Sequence, residues 1–265
     1  MNSKSIQYLL GVFTFIVCVF SVSPVLVILI ESFTAGNYIS FPPESFSIKW
    51  YAEFLKRDEF IESVYVSLYV ALMASVTSTL IGLIASVALF RYSFFGKKII
   101  NLLFMAPLSL PGLILGLSLL QFLAANSIPR NIFTLSLTHI VICIPFAIRF
   151  ITVSLTGVDP KIEQAAQSLG ANRFYSFWFI TFPLLRPGIT ASLVFSFIIS
   201  FDEVAASIFV SSTNAMTLPV RIYAYIDQNY DPLVTAVSSL LIFGAAIALV
   251  IIEKTVGMGK LFGMK

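Results

Sequence analysis

Charge is scarce in this sequence. Only 11% of the 265 residues are charged, less than half of the roughly 25% usual in a water-soluble domain. With 58% hydrophobic residues and a mean hydropathy of +0.96, the chain could not solvate its surface in water, which excludes an ordinary soluble fold and points to a membrane. Histidine is scarcer still, with His139 as the single example. One histidine argues against haem or quinol chemistry by histidine ligation, and no Ser/His/acid or His/Cys set supports catalysis. His139 sits in an apolar run and reads as a hydrogen-bonded packing residue. Cys18 and Cys143 also lie in apolar runs without acidic or histidine neighbours, so they read as small buried hydrophobes. No GxxxxGK[ST] phosphate loop occurs, and Gly257-Met258-Gly259-Lys260 lacks its spacing. The chain is expected to be non-catalytic, with no metal or cofactor of its own.

What the sequence has is long apolar runs. A bilayer takes roughly 20 mostly apolar residues per helix, and six runs meet or approach that, at about 6–30, 62–90, 99–124, 132–156, 188–210 and 233–252. The first is longer than the about 7–15 residues of a signal-peptide core, so it reads as an uncleaved helix. Alternating segments of about ten residues, the mark of a transmembrane β-barrel, are absent, and no internal repeat is visible. The expectation is an all-α membrane protein with six transmembrane helices in one domain over 1–265. Pro107, Pro111, Gly112 and Gly116 predict a kink in the third span.

Orientation follows from Lys and Arg in the loops. One side holds Lys4, Arg91, Lys97, Lys98, Lys161, Arg173, Arg186, Lys254, Lys260 and Lys265. The other mixes Lys49, Lys56, Arg57, Arg130 and Arg221 with seven acids from Glu31 to Asp231. The first side should be cytoplasmic, with both termini. Outside, SIKWYAEFLKRDEF predicts a short amphipathic helix at the membrane surface. Residues 211–232 mix aromatics with acids. Both outer segments read either as interfacial packing or as docking surfaces for an extracytoplasmic partner.

The segment of about 159–187 interrupts this pattern. Asp159-Pro160 supplies an N-cap and a first-turn proline, and Gly170 suits the position just past a helix end. A helix over Pro160 to Leu169 follows, too short and too polar to span. From Asn172 the chain turns aromatic between Arg173 and Arg186, as in a helix lying at the interface, with Pro183 and Pro187 expected to end it.

The spacing here is specific. Gln164-Ala165-Ala166, three residues, Gly170, nine residues, Ile180, one residue and Phe182-Pro183 resemble the EAA loop of importer-type ABC permeases. That family's pattern is Glu-Ala-Ala, three residues, Gly, nine residues, Ile, one residue, Leu-Pro, placed before the penultimate span. Gln164 stands where the family has Glu, with Glu163 just before it, and Phe182 replaces Leu. The resemblance implies the type I importer permease architecture, with a cytoplasmic coupling helix before the fifth span. This segment would dock in a groove of an ATP-binding subunit through Ala165, Ala166 and Gly170. Glu163 could replace the family's Glu only if the helix rotated by about 100°.

ESFTAGNYISFPPESFSIKWY, SFDEVAASIFV and TLPVRIYAYI resemble the second permease of spermidine/putrescine-type ABC importers. Related importers for other small solutes, including 2-aminoethylphosphonate, share much of the pattern. The resemblance implies a bacterial inner-membrane location and four partners: a second permease that is a different chain, two ATPase subunits holding ATP and Mg²⁺, and an extracytoplasmic solute-binding protein. The lipid bilayer is the remaining contact, and no nucleic acid is expected.

Asp202 and Glu203 are the most unusual residues. If the fifth span begins near Gly188, Asp202 lies about 14 residues in, roughly 21 Å along the helix. Acids at that depth are costly unless paired or wetted. They read either as part of a cation pathway or as a structural pair satisfied by Arg149, a partner's cation or a helix N-terminus. Tyr223, Asp227, Tyr225, Tyr230 and Asp231 could line an outer mouth, since aromatic faces attract cations. An ion-coupled secondary transporter or channel is the competing class.

Overall fold

The computed structural model describes residues 3–256, with side chains described for 7–247 and 250. Lys260, Lys265 and the Gly257–Lys260 stretch lie outside the described residues, and the side chains of Lys4 and Lys254 lie outside them too. The chain forms two compact units, one built from residues 1–61 and 222–250, the other from 62–221 and 251–265.

In chain order the helices are α1 (Ser3–Glu31), α2 (Lys49–Lys56), α3 (Asp58–Arg91), α4 (Lys97–Ser109), α5 (Gly112–Ala125) and α6 (Ile132–Thr156). Then come α7 (Pro160–Ser168), α8 (Arg173–Ser176), a π-helical turn (Phe177–Thr181), α9 (Phe182–Leu184) and α10 (Arg186–Asp202). The last are α11 (Ser207–Val210), α12 (Leu218–Ile226) and α13 (Leu233–Val256). Among the described residues α1, α3 and α6 are long and apolar enough to cross a membrane. Two further apolar runs are bent, by 109° between α4 and α5 and by 63° between α9 and α10. α13 adds a shorter apolar stretch, Leu233–Ile247. Among the described residues, counting each bent pair once gives five such spans, with the apolar stretch of the 24-residue α13 beside them.

The 109° bend is far more than a kink. Leu110 is extended (φ −99°, ψ 134°), as the residue before a proline prefers, and Pro111 then starts α5 with no N–H to continue the α4 ladder. The end of α10 also departs from expectation. The apolar run continues to Val210, but the helix stops at Asp202, with Glu203 extended at φ −71°, ψ 113°.

In the larger unit, α3, α6 and α10 meet along a seam of small and hydroxylated residues. Such seams suit helix contacts in lipid, where close approach and interhelical hydrogen bonds replace hydrophobic driving force. Thr79 Oγ1 and Ser192 Oγ lie 2.7 Å apart, Ser86 donates to the Ile148 carbonyl at 3.1 Å, and Cys143 Sγ donates to the Ser196 carbonyl at 3.3 Å. α10 sits so close to α6 that a methyl on Gly188 would come within 2.5 Å of Ser154 Cβ. Phe150 and Phe195 stack across the same pair at 4.6 Å. Near the start of α10, Leu185 is buried with Ile151, Leu155 and Val158.

In the smaller unit α1 exposes its side chains from Gln7 to Val27. Cys143 is buried as expected, but Cys18 is exposed on α1. An apolar side chain in lipid needs no protein cover. α2 is the expected amphipathic helix. Trp50 Nε1 donates to the Gly36 carbonyl at 3.1 Å, and Tyr51 Oη bridges Ser32 Oγ and Ser239 Oγ at 2.7 and 2.8 Å. Phe54, Phe60 and Tyr225 pack edge to face at 6.1 and 5.4 Å.

Candidate functional site

α7 forms where local chemistry asks for it. The Asp159 carboxylate accepts from Lys161 N–H at 2.9 Å, and Pro160 occupies the first turn. At the other end Gly170 adopts φ +96°. Ala171 N–H reaches the Ala166 carbonyl and Gly170 N–H the Gln167 carbonyl, each at 3.0 Å. This crossed pair is a Schellman cap, and its left-handed residue is nearly free of strain only as glycine. Leu169, expected as the last helical residue, is the C-cap.

The faces of α7 differ. Gln164, Ala165, Gln167, Ser168 and Gly170 are exposed, whereas Glu163 and Ala166 are half-buried. Glu163 is already engaged within the chain. Its Oε2 accepts from Arg91 Nη1 at the end of α3, and its Oε1 accepts from Thr181 Oγ1. Its carboxylate therefore faces inward, away from the exposed Gln164.

The aromatic stretch is helical but irregular. Asn172 caps α8 by accepting from Tyr175 N–H at 2.7 Å. Trp178 packs against Phe174 and Phe182 at 6.2 and 5.0 Å, and Tyr175 stacks on Phe179 at 4.3 Å. Pro183 does not end this helix. A proline has no N–H and crowds the carbonyl four residues back, and here the widened π turn takes up the misfit, with Phe182 N–H bonding the Phe177 carbonyl. The helix axis breaks at Leu185 instead. Ile180 and Pro183 are half-buried in this stretch.

At the other end of α10 the chain makes an acidic turn. Glu203 Oε1 accepts from Ala206 N–H at 2.8 Å, just ahead of α11. That is the helix-N-terminus alternative among those raised for this acid; Arg149 is exposed and makes no ion pair among the described residues. Asp202 is exposed, with no hydrogen bond or ion pair among the described residues. His139 fixes the turn from both sides. It is fully buried, with Nδ1 2.8 Å from Ser200 Oγ on α10 and Nε2 2.8 Å from Ser207 Oγ on α11. α5 closes on the same turn, because Gly116 lies against Ala206, where a methyl would meet Cα at 2.6 Å. Composition marked His139 as a packing residue, but its two serine partners, 61 and 68 residues away, carry no local signal.

The outer residues divide in two. Tyr223 and Asp227 are exposed. Tyr225 is buried and donates to Asp231 Oδ2 at 2.6 Å, while Asp231 Oδ1 accepts from Leu233 N–H at the start of α13. The Arg57 guanidinium lies over the Tyr225 ring at 5.2 Å and pairs with Glu53 at 3.3 Å. Burial first, and then the Asp231 hydrogen bond, push the Tyr225 hydroxyl up to about 12.

A polar helix capped between apolar ones, followed by a bent helix ending in acids, is a distinctive arrangement. Residues 78–255 match the family described as binding-protein-dependent transport system inner membrane component. The chain belongs to that family. It is 28% identical over 240 residues to the spermidine/putrescine transport system permease protein PotC of Escherichia coli (strain K12), covering 91% of this chain and 90% of that protein. It is 31% identical over 230 residues to the putrescine transport system permease protein PotI of the same strain, covering 84% and 82%. Among solved structures, a chain of a bacterial ABC transporter involved in import of the acidic polysaccharide alginate superposes with a TM-score of 0.75. The identity there is 17%, with coverage of 96% and 99%. That likeness shows the all-helical fold.

Proposed function

We propose that this chain is one of two membrane-spanning subunits of an ATP-driven importer for a small polycation of the spermidine/putrescine class. The observation that carries the importer reading is α7. It is nine residues long, too short to cross a bilayer, capped at both ends, and bare along Gln164, Ala165 and Gly170. Small side chains there let another surface approach closely. In the proposed assembly two ATPase subunits, which hold ATP and Mg²⁺, dock on α7 and on its counterpart in a second permease chain. Ala166, Ile180 and Pro183 support the docking surface from behind. A solute-binding protein meets the outer loops, and both termini face the cytoplasm. The chain itself breaks and forms no covalent bond.

The relatives named for polyamines align over most of their length, and Asp202 supports a cationic solute. Among the described residues its carboxylate has no partner, and it sits at the C-terminal end of α10, where the last carbonyls already concentrate negative partial charge. Broken helices in transporters place such ends toward bound cations. Glu203, held by Ala206 N–H, shapes the turn. Tyr223 and Asp227 are exposed on the outer segment, where an aromatic face and a carboxylate would attract the cation first.

Co-expression with candidate ATPase and permease partners, followed by reconstitution, tests this. The wild type should capture an ATPase and couple hydrolysis to uptake, and Gly170→Trp should abolish coupling. An importer that captures no ATPase, or a Gly170→Trp variant coupled like the wild type, would sink the reading. Screening the binding protein against spermidine, putrescine and 2-aminoethylphosphonate decides the solute; binding of the aminophosphonate alone would replace the polyamine.

A further inference from the structure

Three elements distant in sequence are tied together on the inward side of α7. Arg91 is the last residue of α3, Glu163 lies in the first turn of α7, and Thr181 ends the π-helical turn. Arg91 Nη1 donates to Glu163 Oε2, Thr181 Oγ1 donates to Glu163 Oε1, and Arg91 Nη2 lies 3.5 Å from Thr181 Oγ1. Thr181 is fully buried, and the side chains of Arg91 and Glu163 are only 21% and 15% exposed.

An exposed ion pair is cheap to break. A shielded carboxylate that is doubly bonded, once to a guanidinium, holds its geometry far better, because parting leaves both charges poorly solvated. The π turn serves the same end. A regular α-helix through Phe177–Thr181 would shift the register there by about 100° and carry Thr181 off this position.

We propose that Arg91, Glu163 and Thr181 form a clasp that makes α3 move with α7, so that the coupling helix drives the long α3 directly. This rests on the reading of α7 as the ATPase-docking helix. Along the chain α7 is joined only to α6 and α8; α3 ends 69 residues before it begins. The clasp is the charged link that spans that gap. It also assigns the two neighbouring residues different tasks: Gln164 faces outward, and Glu163 positions the helix from within. These are positioning residues, acting through α3.

The test uses the complete importer reconstituted in vesicles, measuring ATP hydrolysed per solute taken up. Residues along such a connection change coupling by roughly 2- to 30-fold. Glu163→Gln and Arg91→Gln should raise the ratio by that factor while retaining the ATPase subunits. The reversed pair, Arg91→Glu with Glu163→Arg, should return the ratio toward wild type. Unchanged ratios in both single variants, or a reversed pair no better than the worse single variant, would overturn the clasp.

Spin labels at Ser168 on α7 and Phe90 on α3, both exposed, give a second measurement that does not depend on the reversed pair assembling. Their separation should stay fixed between nucleotide-free and ATP-bound wild type and should broaden in Glu163→Gln. A wild-type separation that changes with ATP refutes common motion. Loss of ATPase capture by the wild type itself would remove the underlying reading and the clasp with it, whereas unchanged ratios remove the clasp alone.

Discussion

Replacing His139 by leucine keeps an apolar side chain of similar bulk and removes both ring hydrogen bonds. Ser200 Oγ and Ser207 Oγ, each 2.8 Å from the ring, then lose their partner in a fully buried place. Interhelical side-chain hydrogen bonds in membranes average about 0.6 kcal/mol and reach about 1.7, so the pair sets a range of about 1–3 kcal/mol. Serine can turn its hydroxyl back to a carbonyl of its own helix, which places the expected loss in the lower half of that range. A double-mutant cycle in the assembled importer, read by thermal unfolding in detergent, measures it. Ser200→Ala with Ser207→Ala should cost about 1–2 kcal/mol in the wild type and under about 0.3 in the His139→Leu background. If the two sets of costs simply add, His139 does not act through these hydroxyls. Uptake should fall in parallel, because the released segment is the one that carries Glu203 and follows Asp202.

Gly116→Ala should destabilise by about 1–3 kcal/mol, the usual range for overpacking, since its methyl would meet backbone atoms of Ala206 at 2.6 and 2.8 Å; unchanged thermal stability would refute the close packing of α5 on the turn. Asp202→Asn should reduce uptake of a divalent or trivalent amine by tenfold or so with assembly intact, about one lost charge interaction at an effective dielectric between water and protein; equal uptake removes Asp202 from the pathway. Glu203→Gln should instead lower stability, by about 0.5–1.5 kcal/mol, because the amide is a weaker acceptor for Ala206 N–H. For Tyr225 the neutral hydroxyl is the favoured form in the fold, so its stabilisation is full below pH 10 and is lost as pH rises through about 12. Tyrosinate absorbance of wild type minus Tyr225→Phe should show that late titration; a difference curve centred near 10 would contradict it.

What could be read from the sequence depended on how far the deciding contact lies along the chain. α7 was legible to within one residue because its signals, Asp159, Pro160 and Gly170, are local. The direction of Glu163 was not, since its partner Arg91 is 72 residues away, and adjacency to Gln164 invited the wrong comparison. The end of α10 was missed for a different reason. Hydropathy stays high through Ser207–Val210, and a carboxylate accepting from a backbone N–H three residues on is invisible to it. Proline announced a change at Pro111, but the 109° turn also needs the close approach of α5 to the acidic turn, which Gly116 permits. Pro183 shows the converse, a proline absorbed by a π turn.

These particulars place the two ends of one stiff element at the two candidate sites. α10 runs 17 residues, about 26 Å at 1.5 Å per residue, from the buried Leu185 beside the coupling segment to Asp202. Its face toward α3 and α6 carries Gly188, Ser192, Ser196 and Ser200, all buried. A surface of small residues with a few hydrogen bonds tolerates small slides between discrete packings better than interlocked large side chains do. His139 bonds both to Ser200 on that surface and to Ser207 beyond it, so any slide of α10 must carry the turn along or break a bond. In the proposed importer, displacement at α7 would therefore reach Asp202 through this rod, and the pinned turn beyond Asp202 would move with it. A hinge engineered mid-rod, by Phe195→Gly with Val194→Gly, should then cut uptake while leaving ATP hydrolysis running; uptake preserved at the wild-type ratio would show that α10 does not carry the motion.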